Sequence, residues 1–194
     1  MDENVPLTSE MTPDNNLRLV NIVGSGSIHR ELELGALLET LTRESQIESV
    51  KRSTSGLVVS FKSIPGKAMI YRSGSYTLMG SKSENGLNSL KDALLRVFNE
   101  YDILSDVSSV TFEKSNYVYA IDLNQNIDLN SLDIVLGSEG EYEPEQCSLL
   151  MYYPSEVSST ATVSSSGKCV INTPLGEKGA EKLIEELQKN LNTI

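Results

Sequence analysis

Three groups of residues in this 194-residue chain carry side chains able to do chemistry, and their spacing decides which chemistry. The first is the elbow GEYEPEQC, Gly140 to Cys147, where Glu141, Glu143 and Glu145 crowd around Pro144 with Glu139 just ahead. A catalytic carboxyl pair needs burial to shift its pKa, and charges packed into a proline-bent turn turn outward to water instead. Such an elbow is either a solvated bend or an acidic handle for a basic partner. The second group is Asn21 and Asn116, each two residues ahead of a valine, Val23 and Val118. An asparagine amide offers two donors and a carbonyl acceptor, so it either reads a polar edge or caps a strand. The third is the thin supply of nucleophiles and metal ligands: Cys147, Cys169 and His29. Neither cysteine has a CxxC companion, and one histidine completes neither a triad nor a tetrahedral site. Both cysteines read as reduced thiols, and His29, beside Arg30 and Glu31, as a surface residue. We therefore expect no enzyme, no metal and no cofactor. Gly24-Ser25-Gly26 lacks the third glycine of a dinucleotide loop, so it is not read as a phosphate cradle.

The elements that must position these residues come in two copies. NIVGSGSIHRELELGALLETL, residues 21–41, aligns with NYVYAIDLNQNIDLNSLDIVL, residues 116–136, at an offset of 95. Asn21 meets Asn116, Val23 meets Val118, and Leu34, Leu37 and Leu41 meet Leu129, Leu132 and Leu136. Glu33 and Asp128 are a chemically matched pair. Further along the offset becomes 93: Ser73-Gly74 meets Ser166-Gly167, and Leu90, Leu94 and Phe98 meet Leu183, Leu187 and Leu191. That trio, at i, i+4 and i+8, is one stripe of an amphipathic helix. Each unit reads as a strand, a helix, then strands rich in β-branched and aromatic residues (GLVVSFK, KAMIYR, YTLMG; SLLMYY, TATVS, CVIN). A closing helix follows, over 84–101 and 177–191, with Ser83 as N-cap of the first. Ser73-Gly74-Ser75 and Ser166-Gly167-Lys168 are hairpin turns that need the positive φ of glycine. We divide the chain into a mobile tail, 1–16, and two repeats, 17–104 and 105–194. Strands in meander order with helices on one side predict an α+β fold.

Composition bounds the partners. No apolar run approaches the roughly 20 residues of a membrane helix, and the polar N-terminus is no signal peptide, so a cytoplasmic, nucleoid-associated protein without membrane contact is expected. The net charge of −11 opposes casual binding to polyanions, but it is uneven. Residues 1–104 hold 11 Lys+Arg against 13 Asp+Glu, whereas residues 105–194 hold 5 against 14. The first half is the more hospitable to phosphate.

These residues carry a resemblance. Paired repeats opening on Asn21-Ile22-Val23, passing through Tyr142-Glu143-Pro144-Glu145-Gln146 and turning at Ser165-Ser166-Gly167-Lys168 are similar to the TATA-box-binding protein family of archaea and eukaryotes. The resemblance spans residues 17–192. It implies two pseudo-symmetric repeats forming a saddle: a curved antiparallel sheet of about ten strands with four helices on the convex face. It also implies a monomer that binds AT-rich promoter DNA in the minor groove, recruits transcription factor B and, through it, RNA polymerase. Minor-groove edges of A·T pairs present only acceptors, which suits the paired donors of Asn21 and Asn116. The implied DNA-binding set is Asn21, Val23, Tyr71, Lys82, Asn116, Val118, Leu149, Lys168 and Val170, with Lys62, Lys67 and Arg72 as further phosphate contacts. The resemblance makes the elbow, through Glu143, Glu145 and Gln146, the grip for factor B.

The departures are specific. Kinking a duplex by wedging side chains between base steps is an effect for which this family is itself the standing example. The four wedge phenylalanines fall here at Thr54, Tyr71, Cys147 and Ser164, and only Tyr71 keeps a ring. Alternation places Cys147, Leu149, Met151 and Tyr153 on one face, with Leu149 or Met151 as a smaller wedge. Met69, Met79 and Met151 read as packing residues. Two functions follow: a general initiation factor on promoter DNA, or a relative that works chiefly as a protein-interaction module through the elbow.

Overall fold

The computed structural model describes residues 16–104 and 106–194; the tail expected over residues 1–16 lies, Asn16 apart, outside them. The first repeat runs β1 (Arg18–Ser27), α1 (Leu34–Arg43), β2 (Ile47–Arg52), β3 (Gly56–Phe61), β4 (Ile64–Tyr71), β5 (Ser75–Ser81) and α2 (Glu84–Glu100). The second repeats that order: β6 (Thr111–Asp122), α3 (Leu129–Leu136), β7 (Gly140–Glu141), β8 (Leu149–Tyr152), β9 (Thr160–Ser164), β10 (Lys168–Thr173) and α4 (Glu177–Leu191). All ten strands make one antiparallel sheet, ordered β2-β3-β4-β5-β1-β6-β10-β9-β8-β7 and mirrored about the β1–β6 pair. The expected curved ten-strand sheet with four helices is what the chain forms.

Local chemistry explains the elements. The matched pair Glu33 and Asp128 are both N-caps: Glu33 Oε2 accepts from Ala36 N at 2.9 Å, and Asp128 Oδ1 from Asn130 N at 3.1 Å. Ser83 Oγ caps α2 by accepting from Gly86 N at 3.1 Å. Gly74 and Gly167, at φ 82° and 81°, turn β4 into β5 and β9 into β10. Each carbonyl then accepts a distant N–H, from Ile28 and Leu123 respectively, tying the turn to the end of the repeat's first strand.

Strand alternation sorts side chains onto a helix-covered face and an open face. Leu57, Val59, Ala68, Ile70, Tyr76 and Leu78 meet Leu90, Leu94 and Phe98 of α2 in the first core. Leu150, Tyr152, Ala161, Val163, Cys169 and Ile171 meet Leu183 and Leu187 of α4 in the second. Leu19 and Tyr117 pack against both cores, so β1 and β6 weld the repeats.

Two expectations change. The segment IESVKR drew no strand assignment, yet it is edge strand β2, with only Ile47 of its six residues fully buried. Its alternation is too polar to read without its partner β3. The opening strand of the first repeat reads from the sequence as the short segment LRLVNIV, ahead of the polar Gly24-Ser25-Gly26, but β1 continues through these residues to Ser27. A Cβ at Gly24 would strike the Phe112 ring, and one at Gly26 the Tyr76 ring and the Thr111 carbonyl. These glycines let aromatic side chains lie flat across the strand.

Candidate nucleic-acid interface

The open face is built outward from the central strand pair. In the β1–β6 ladder Asn21 lies opposite Val118, and Val23 opposite Asn116. Residues 95 apart in sequence thus form one square, two asparagines on one diagonal and two valines on the other. A bulge flanks each side: Val20 is the extra residue in β1 and Ser115 in β6, again 95 apart. The Ser115 hydroxyl donates to the Val23 carbonyl at 3.2 Å, holding the second bulge.

Asn21 Oδ1 accepts from Gly80 N at 2.8 Å. That bond bridges the irregularity in the β1–β5 ladder, between the Ile22–Ser81 and Gly24–Leu78 pairs. Only the amide oxygen can accept from an N–H, so the Asn21 amide is oriented with its NH2 free. The square therefore offers donors between two apolar side chains.

Rows of side chains extend from the square. In the second repeat Val170 lies opposite Ala120 and Thr162, Thr162 opposite Met151, and Asn172 opposite Val118 and Thr160. In the first, Val58 lies opposite Met69, Met69 opposite Thr77, and Thr77 opposite Ser25. Met69, Met79 and Met151 pack on this open face and belong to neither core. The Ser53 hydroxyl donates to Met69 Sδ at 3.7 Å, and Thr162 Oγ1 to Met151 Sδ at 3.3 Å.

At the wedge positions, Tyr71 ends β4, half-buried, opposite Gly56; its counterpart Ser164 lies opposite Leu149. Leu149 is 36% exposed and Val170 39%, apolar groups standing in solvent on the open side. Thr54 and Cys147 are exposed. Lys62, Lys67, Arg72, Lys82 and Lys168 are exposed on or beside this face.

The elbow connects β7 to β8 at the far edge of the sheet, and Glu143 through Leu149 are exposed. It is a hydrogen-bonded bend: Gln146 N and Cys147 N both donate to the Glu143 carbonyl at 2.9 Å, and Gln146 Nε2 donates to the Glu143 carboxylate. Tyr142 packs against the second core and anchors the entry. Glu139 accepts from Ser155 N at 2.8 Å, and the hydroxyl and N–H of Ser155 hold its carboxyl below the usual range. Of the expected contacts, Glu143 and Gln146 are thus joined to each other, and Glu145 carries no side-chain hydrogen bond among the described residues.

The resemblance puts Met79 and Asn172 at the hydroxyl positions of the paired strand ends, but sequence reasoning missed the hydroxyl floor: Ser25, Thr77, Thr160 and Thr162. Counting in twos from Asn21 would have reached Ser25; the neighbours across strands needed the ladder. Among the described residues, no group of three His, Cys, Asp or Glu could hold a metal ion, and no helix is long and apolar enough to cross a membrane.

Comparison with known proteins bears on this face. Residues 16–101 and 111–194 each match the family model "Transcription factor TFIID (or TATA-binding protein, TBP)". The chain is 30% identical over 179 residues to TATA-box-binding protein C of Halobacterium salinarum, covering 92% of this chain and 98% of that one. It is 32% identical over 187 residues to TATA-box-binding protein 2 of Haloferax volcanii, covering 94% and 96%. The solved Methanococcus jannaschii TBP superposes with a TM-score of 0.74 at 22% identity, over 92% of this chain and 98% of that one, a likeness of fold alone.

Proposed function

The chain belongs to the TATA-binding protein family, and from that premise we propose that it is a general transcription initiation factor that seats AT-rich promoter DNA, by its minor groove, on the open face of the sheet. The observation that carries the reading is the Asn21–Val118, Val23–Asn116 square, with the Asn21 oxygen tied to Gly80. A·T pairs present only acceptors in the minor groove, and the square faces them with amide donors. A guanine there would bring its exocyclic amine against Val23 and Val118 without a partner, at a cost of roughly 1–3 kcal/mol. The threonine and serine hydroxyls around the square adapt as donors to the same acceptors.

The wedges have changed. Tyr71 supplies the ring of the first repeat, and Leu149, exposed opposite Ser164, supplies a smaller apolar group in the second. The bend is accordingly shallower on the second-repeat side. The elbow is the site for transcription factor B, with Glu145 as its free carboxylate and the Glu143–Gln146 pair as a preorganised acceptor; RNA polymerase is reached through that partner. The protein acts as one copy per site, its repeats being 17–104 and 105–194.

The test is fluorescence anisotropy of a labelled AT-rich duplex against a GC-rich one, across a salt series, with and without factor B. The expected result is tighter binding to the AT-rich duplex by about tenfold or more, strengthened by factor B. Equal affinity for both duplexes, with factor B still bound to the protein alone, would replace this reading with that of a partner-binding module. The single ring left among the four wedge positions is the observation favouring that second reading.

A further inference from the structure

The relation between the repeats is a built-in control on surface composition. Where corresponding residues lie in matching strands and turns, as Lys67 with Thr160 and Arg72 with Ser165, a difference in side chain is not demanded by the fold. From β3 and β8 onward the relation is the offset of 93: Gly56 opposite Tyr71 corresponds to Leu149 opposite Ser164, and Gly74 to Gly167. In that register Lys62, Lys67, Arg72 and Lys82 of the first repeat correspond to Ser155, Thr160, Ser165 and Leu175 of the second. Four cations stand against four uncharged residues, one of them a leucine 58% exposed. On the open face the exchange runs the other way once, Lys168 for Ser75; away from it, α4 carries Lys178 and Lys182 where α2 has Asn85 and Ser89.

The four cations are exposed, and the chain carries 27 carboxylates with which they could pair. Yet the ion pairs among the described residues engage Arg43, Lys91, Lys114 and Lys182 instead. Lys67, opposite Met79, stands on the open face, as does Lys51 opposite Val58; Lys62 and Arg72 sit in the adjoining turns, and Lys82 directly follows β5. On this side of the open face the carboxylate is Glu113, opposite Ser25, and beside the Arg72 turn Glu31 precedes Leu32, whose N–H donates to the Arg72 carbonyl. The second repeat's side of the face differs. There Arg18 and Lys168 share a depression of about 420 Å3 with Asp122, which lies opposite Lys168, and Glu141 lies opposite Met151. Five cations against two carboxylates thus face two against two. Arg18 and Glu113, 95 apart, even reverse the charge at one corresponding position.

We propose that the two repeats have divided the work on DNA: the first holds the phosphates through Lys62, Lys67, Arg72, Lys82 and Lys51, while the second contributes base-edge and apolar contact with almost no phosphate neutralisation. The inference rests on the DNA-binding reading above. Its physical content is counterion release: each neutralised phosphate adds about 0.9 to the slope of log affinity against log salt. A duplex on this face is pinned along one repeat and rests on an uncharged floor along the other.

The test is the salt dependence of binding to the AT-rich duplex, with thermal melting as a check that the exposed substitutions leave the fold intact. Lys67→Gln, Arg72→Gln and Lys82→Gln should each flatten the slope by about 0.9, and Lys168→Gln by less than about half of that. Thr160→Lys with Ser165→Arg should steepen it, by restoring to the second repeat what the first possesses. If Lys168→Gln flattens the slope as much as Lys67→Gln, or if the three first-repeat variants leave it unchanged, the division of work is wrong. The AT-against-GC ratio reports separately on the parent reading. Preference for AT with even slopes removes this inference alone, uneven slopes without AT preference remove the initiation-factor reading alone, and no binding to either duplex removes both.

Discussion

An amide that serves the backbone and a ligand at once has its orientation decided by the backbone. Asn21 gives its oxygen to Gly80 N and leaves its NH2 free, the group that the proposed function turns to the groove. Replacing it separates the two duties. Asn21→Asp retains an acceptor for Gly80, so stability should stay within about 0.5 kcal/mol of the parent. The carboxylate has no donor and meets groove acceptors with like charge, so affinity for the AT-rich duplex should fall by at least about tenfold. Asn21→Ala loses both duties, and stability should drop by about 1 kcal/mol. Urea melts and anisotropy measure the two effects, and parental DNA affinity in Asn21→Asp would remove Asn21 from the interface. The cysteines make a second contrast. Burial pushes the Cys169 thiol up to about 12, while Cys147 is exposed in the elbow. Because the thiolate is the nucleophile, iodoacetamide at pH 8 should modify Cys147 alone in the folded protein, and Cys169 only in urea. Mass spectrometry showing equal labelling of both would contradict the burial of Cys169.

At the scale of elements, the hairpin turns carry the clearest conformational demand. Gly74 and Gly167 have positive φ, and a Cβ on either would run into a backbone carbonyl, of Arg30 and Gln125 respectively. Gly137 also has a positive φ, 56°, but nothing lies within 4 Å of where its Cβ would be. Gly74→Ala and Gly167→Ala should therefore each cost more than the roughly 1 kcal/mol of backbone strain expected for Gly137→Ala. Chemical denaturation of the three variants decides it, and equal losses at all three would show that the carbonyl contacts yield without cost. The turns were legible because glycine between β-rich runs has few other uses. Strand β2 was not, because its buried content is one isoleucine and its pairing lies in another segment.

At the scale of the whole molecule, the repeats share a sheet and do not merely touch. β1 and β6 pair along nearly their full lengths, from Arg18–Ala120 to Ser27–Thr111, and Leu19 and Tyr117 enter both cores. Across the same join, Lys114 Nζ reaches Glu84 Oε2 at 2.8 Å and Tyr117 OH donates to Glu84 Oε1 at 3.2 Å. Neither repeat can open without exposing core of the other. Equilibrium unfolding in urea should accordingly give one transition, with far-UV circular dichroism and tyrosine fluorescence coincident. Two separated transitions would mean that the join is weaker than either core. The central square of the open face takes one side from each repeat, Asn21 and Val23 from β1 and Asn116 and Val118 from β6.

What the sequence determined by itself was whatever local rules encode. The duplication, the helix stripes, the cap at Ser83, the glycine turns and the outward sense of Leu149 and Met151 rest on periods of 2 and 3.6 and on φ preferences. The internal repeat at an offset of 95 also made Asn21 and Asn116 equivalent residues, and the resemblance implied their place on DNA. Only the tertiary structure decided that the two asparagines are neighbours, because strand adjacency across 95 residues is a property of long-range pairing that no local pattern records. It also decided that Gly80 orients Asn21, that Gln146 engages Glu143, and that Ser25, Thr77, Thr162 and Asn172 share one floor. A side chain's type is local, but the atom it meets is chosen by the packing of the whole sheet.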